Sequence, residues 1–214
     1  MQKHILAAAS VVVLSVAARA SAQLATTSTF VVTSGLDTVA VERVTRTSMS
    51  LVGDLRLPTP RGIQHSHYAV ELRPDGTAAR VELTDAPNFF TGILVFDPQA
   101  MSAAQHEVGP LNDRVTMAPP GTLPTIGTSM ALMEQVIRTT YPPVGTTVRR
   151  GVINIRNGNR AAISVSRVSA DSVVVLCDGC MRVGSPETLH FAISREGDII
   201  GGTNPDFNWT ITRR

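Results

Sequence analysis

Two short clusters carry the residues best suited to chemistry, Cys177-Asp178-Gly179-Cys180 and His65-Ser66-His67. The cysteines are the only two in the chain. In an oxidising compartment such a pair closes on itself. The loop is so short that the bridge would stabilise by only about 2 kcal/mol, which staples a turn and leaves the fold to other forces. A redox pair would open a helix within an α/β pattern. Here the cysteines follow the apolar run Val173–Leu176 and precede Met181-Arg182-Val183-Gly184, which is no helix start. A structural disulfide between Cys177 and Cys180 is therefore expected ahead of redox or metal chemistry.

His65 and His67 stand two residues apart, so on a strand both imidazoles share a face, with Glu71 further along it. Such a pair begins a metal site and would need a third ligand from elsewhere, His106 or His190. The face they occupy is opposite to that of Tyr68, Val70 and Leu72. Solvated histidines are thus expected, with His65 and His67 only weak metal candidates and no cofactor called for. Catalytic signatures are missing: there is no Gly-x-Ser-x-Gly elbow, and His106-Glu107 continues as Val108-Gly109-Pro110, without the second histidine of a zinc-protease helix. Gly201-Gly202 lies between two β-runs and reads as a bulge or turn, not a nucleotide cradle. An enzyme is disfavoured, although distant residues can assemble a catalytic set without local trace.

The elements that position these groups are mostly strands. Apolar residues alternate with polar ones at Met49–Leu57, Tyr68–Leu72 and Val81–Leu83. Hairpin turns are marked at Ser34-Gly35-Leu36-Asp37, Arg73-Pro74-Asp75-Gly76 and Asn157-Gly158. Further strands are expected at Thr91–Phe96, Ser172–Leu176, around Leu189 to Ile193, and over Phe207, Trp209 and Ile211. From 97 to 127, five prolines and three glycines without a sustained period predict a long loop. At 128–141 the period becomes helical: Thr128 or Ser129 can cap, Met130, Met133, Val136, Ile137 and Tyr141 form the stripe, and Pro142-Pro143 ends it. The methionines are expected to pack in a core.

The expected fold is mainly β, an antiparallel meander of about ten or eleven strands that curls as a half-barrel around one helix, with a β-sandwich and capping helix as the alternative. In element order alone, with no shared motif, this resembles the half-open barrels of periplasmic lipoprotein carriers and related exported lipid-binding proteins.

The amino end reads as a signal peptide over 1–22: a basic start, a 14-residue apolar stretch from Ile5 to Ala18, and Ala20-Ser21-Ala22 before Gln23. That stretch would span about 21 Å as a helix, short of the roughly 30 Å membrane core. Its removal takes away Lys3, the only lysine, and Arg19, leaving 17 arginines against 17 Asp and Glu. A single β-rich domain over 23–214, periplasmic or secreted from a bacterium, with no transmembrane segment, is expected. Zero net charge offers no reason to bind nucleic acid. The basic pairs Arg149-Arg150 and Arg213-Arg214 are expected to be solvated strand ends. The leading functional expectation is a non-catalytic binding or carrier module for an apolar small molecule, a lipid or an envelope partner. The alternatives are a structural or assembly protein of the envelope, and a hydrolase or metal enzyme without a recognisable motif.

Overall fold

Period-two alternation puts one set of side chains from each strand on a common face, and that face here encloses the helix. A computed structural model describes residues 24–86, 90–107, 114–178 and 186–214. The expected signal peptide lies outside these residues, as does Cys180. In chain order the strands are β1 (Thr26–Ser34), β2 (Asp37–Arg46), β3 (Ser50–Thr59), β4 (Gly62–Leu72), β5 (Ala78–Ala86), β6 (Phe90–Asp97), β7 (Ser102–Glu107), β8 (Arg114–Met117) and β9 (Leu123–Thr125). The helix α1 (Met130–Thr140) follows, then β10 (Thr147–Asn154), β11 (Arg160–Ser169), β12 (Ser172–Asp178), β13 (Pro186–Ile193), β14 (Ile199–Asn204) and β15 (Trp209–Arg213).

All fifteen strands belong to one sheet in the order β8-β7-β6-β5-β4-β3-β2-β1-β15-β14-β13-β12-β11-β10-β9. Every pairing is antiparallel except β9 with β10. The sheet is mainly β structure curled around one helix, as the alternation predicts, and its hydrogen-bonded ladder does not close. Its two end strands, β8 and β9, are nevertheless consecutive in the chain, joined through 118–122. The closing seam of the molecule therefore lies between them.

The stretch 97–127 corrects the expectation of a long loop, since it contributes β7, β8 and β9. These strands are short and poor in large apolar residues. β7 turns Ala103 and Gln105 inward, so hydrophobic alternation is nearly silent there. The strand count rises accordingly above ten or eleven. The turn at Asn157-Gly158 is also longer than a two-residue hairpin, because β10 stops at Asn154 and β11 resumes at Arg160. Gly201-Gly202 lies within β14 beside an irregularity in its pairing with β13, where Ala192 faces Gly201 and Ile193 faces Ile199. A Cβ on Gly202 would overlap the carbonyl oxygen of His190 and the ring of Phe191, so the close approach of β13 requires glycine.

The inward faces form one core. Leu51, Leu55, Tyr68, Leu83 and Leu94 come from one half of the sheet, and Ile163, Val165, Val175, Leu189 and Phe191 from the other. Between them lies α1, whose Met130, Met133, Val136 and Ile137 are buried as the stripe predicts. Ser129 caps it, its Oγ accepting from Leu132 N at 3.2 Å. The burial goes further than an amphipathic stripe allows, because every residue from Met130 to Ile137 is enclosed, Glu134 and Gln135 included. No helix among the described residues is long and apolar enough to cross a membrane.

Candidate functional site

Three places gather polar chemistry: the buried seat of the helix, the outer face around the histidines, and the seam between β8 and β9.

At the helix seat, Ala40, Glu42 and Val44 point inward from β2, which places a carboxylate among apolar neighbours. Glu42 Oε1 accepts from Tyr68 Oη at 2.5 Å and from Ser129 Oγ at 2.5 Å, and Oε2 accepts from Ala131 N at 2.9 Å. Tyr68 opposes Gly53 in the β3–β4 ladder. A Cβ on Gly53 would overlap the phenol, so the missing side chain lets the ring pass over β3 to reach β2. Burial raises the Glu42 carboxyl above its ordinary value, against the lowering effect of these donors. The Tyr68 phenol is pushed up by burial and then by the adjacent carboxylate. A serine against a carboxylate looks like a nucleophile with its base, but all three side chains are enclosed. The carboxylate instead satisfies the free amides of the helix N-terminus, where negative charge is favoured.

One turn along, Glu134 is held from both halves of the sheet. Arg46 of β2 lies 3.2 Å from Oε1, while Arg213 of β15 and the amide of Ile199 each stand 2.8 Å from Oε2. Burial raises this carboxyl too, opposed by the two guanidiniums. Burial lowers Arg46, against the raising effect of Glu134. Arg46 also donates to Gln135 Oε1, and Gln135 Nε2 donates to Gly76 O at 2.8 Å. Arg213, expected as a solvated strand end, is thus a structural anchor.

His65 and His67 do share a face, and both are exposed. His67 Nδ1 lies 2.9 Å from Asp54 Oδ1. No group of three or more His, Cys, Asp or Glu suited to a metal ion occurs among the described residues. His190 sits on β13 in the other half of the sheet, and Glu71 faces Arg80 of β5. His106 opposes Ile93 in the β6–β7 ladder. Cys177 is buried on β12, while its expected partner lies outside the described residues.

At the seam lies a cleft of about 730 Å³. Met117 and Pro119 form one side, Gly151 and Val152 of β10 the floor, and Ala161 and Ala162 of β11 the other side. Arg149, Arg160 and Asp178 supply the charge. Arg160 Nη1 reaches Met117 O at 3.5 Å, across the seam. The Arg149 side chain makes no hydrogen bond or ion pair among the described residues. A second depression, of about 340 Å³, continues from Arg149, Ala162 and Asp178 to Ser164, Leu176 and Pro186. The cleft escaped sequence reasoning because its walls come from segments read as loop and from both faces of a hairpin, Val152 and Ala161 on the inward side and Arg149, Gly151 and Ala162 on the outward. Its trace in the sequence was Arg149-Arg150, read there as a solvated strand end.

No protein-family model matches the sequence, and no curated protein matches it. Among solved structures, the chain is similar to the crystal structure of a DUF1089 family protein from Pseudomonas aeruginosa, with 13% identity and a TM-score of 0.59. The likeness covers 80% of this chain and 91% of the other. At that identity it speaks for the fold alone.

Proposed function

We propose that the protein is an exported, non-catalytic binding module that takes an apolar small molecule with an anionic end in the seam cleft. The carrying observation is the cleft itself: about 730 Å³, lined by small and apolar residues, with an Arg149 side chain that has no hydrogen-bond or ion-pair partner among the described residues. Small-molecule sites are typically roughly 300–1,000 Å³, apolar, and oriented by a few polar groups. The space between helix and sheet, the more obvious place for a ligand in a half-barrel, is filled by Met130, Leu132, Met133 and Ile137. Export rests on the signal-peptide pattern of 1–22, with the periplasm or the exterior of a bacterium as destination. In that compartment Cys177 and Cys180 form a disulfide, checked by an unreduced peptide mass two hydrogens below the dithiol.

Calorimetric titration of the purified exported protein with dodecanoate, below its micellar concentration, tests the site. Saturable one-to-one binding is expected. Ala162→Trp, which fills the cleft from an outward strand position, abolishes it, and Arg149→Ala weakens it about fivefold, the worth of one charge-assisted hydrogen bond. Binding that Ala162→Trp leaves unchanged, or no binding at all, refutes the site.

A second reading, recruitment of an envelope protein by strand addition, has one observation in its favour. β8 ends the ladder beyond β7 and exposes Val115 and Met117, the features of an edge open to pairing. Crosslinking from position 115 in the native cell separates the two readings.

A further inference from the structure

Away from the seam, four basic side chains meet on the outer face of the sheet. The ladder registers place Arg43, Asp54, His67 and Thr84 in one row across β2 to β5, and Val41, Arg56, His65 and Ala86 in the next row. Rows two residues apart share a face. Curvature of the sheet makes a depression of about 570 Å³ there, lined by both arginines, both histidines and Asp54. Arg43 and Arg56 are diagonal neighbours on adjacent strands, a separation of about 7–8 Å that two long side chains can close around one group. Neither side chain makes a hydrogen bond or ion pair among the described residues. Asp54, the one carboxylate of the depression, is already engaged by His67. Glu82, on β5 one step along that face, is held by Arg80 at 2.5 Å. Thr29, Val41, Thr84 and Ala86 complete the surroundings without charge.

Unpaired guanidiniums flanked by imidazoles offer several N–H donors and an excess of positive charge to a ligand with several oxygens. Arginine is the residue whose planar fork fits such groups. We infer that this trough binds an oxyanion, a phosphate or sulfate group, gripped by Arg43 and Arg56 with His65 and His67 as further donors. The group could be carried by a soluble molecule or by a lipid head. The site is independent of the seam cleft, so one can fail without the other.

Calorimetric titration of the whole exported protein with sulfate, a dianion, tests it in low salt. Saturable binding is expected, weakening severalfold as salt is raised to about 0.15 M, because exposed charges are screened there. The double variant Arg43→Ser, Arg56→Ser should lose binding with its Tm unchanged, since both side chains are exposed and unpartnered. Ala162→Trp should leave sulfate binding intact. A sedimentation arm with phosphatidylcholine vesicles, with and without phosphatidate, identifies the source. Arginine-dependent sedimentation with phosphatidate assigns a lipid head, and sulfate binding without sedimentation assigns a soluble oxyanion. Absence of saturable sulfate binding, or equal binding by the double variant, overturns the proposal.

Discussion

Glu42 decides how the helix is seated, because one buried carboxylate takes two hydroxyl donors and a helix amide. Glu42→Ala strands these donors in an apolar core and should cost about 3 kcal/mol; Glu42→Gln, which keeps an acceptor, should cost less. The pH dependence has a definite sign. Burial raises the carboxyls of Glu42 and Glu134 in the folded protein, so between the raised value and the ordinary 4.5 the folded state holds more protons than the unfolded chain. Stability contributed by these groups therefore grows as pH falls through that window and is lost as pH rises through it. Thermal melts from pH 7 to 5 should show Tm rising on acidification, and the rise should be smaller in Glu42→Gln. A rise of equal size in the variant would deny Glu42 this part. The residue was partly legible: Ala40, Glu42 and Val44 share a strand parity in the sequence, and a lone acid on an apolar face marks a buried role. Its partners were not legible, since Tyr68 and Ser129 reach it from 26 and 87 residues away.

At the scale of elements, α1 is fastened to both halves of the sheet by Glu134. Glu134 and Arg138 stand four residues apart, the spacing of an ion pair on a helix surface. Instead Glu134 binds Arg46 and Arg213, and Arg138 pairs with Asp198. Glu134→Ala leaves two guanidiniums and the Ile199 amide without their acceptor. It should lower stability by about 3 kcal/mol and speed hydrogen exchange at Ile199, whereas unchanged exchange there would contradict the anchor. In β14, Gly202→Ala pushes a methyl into the backbone of β13, and urea unfolding should show a loss of about 2 kcal/mol or more. Most elements could be read directly, because hairpin turns and alternation in β1 to β6 and β10 to β13 are local signals. The helix was equally plain from Met130, Met133, Val136 and Ile137. β7 to β9 were hidden because Pro119, Pro120 and Pro124 mimic a loop, and because Ala103 and Gln105 supply too little hydrophobicity to mark an inward face. What makes them strands is pairing with β6 and β10, a tertiary effect.

At the scale of the molecule, a sheet whose end strands are neighbours in the chain must bring its two edges together, and here they meet with a cleft between them. Arg156, in the turn after β10, reinforces the closure by donating to Ser66 at 2.6 Å and to Asp85 at 3.1 Å on β4 and β5. Buried side chains of α1 pack against the inner face of the sheet, which is why the proposed ligand site is placed at the seam and not inside the half-barrel. The most direct test is a crystal structure of the protein grown with dodecanoate. The account predicts alkyl density along Val152, Ala161 and Ala162, with the carboxylate at Arg149 or Arg160 and α1 in place. Density between α1 and the sheet, with Met130 and Met133 displaced, would contradict it.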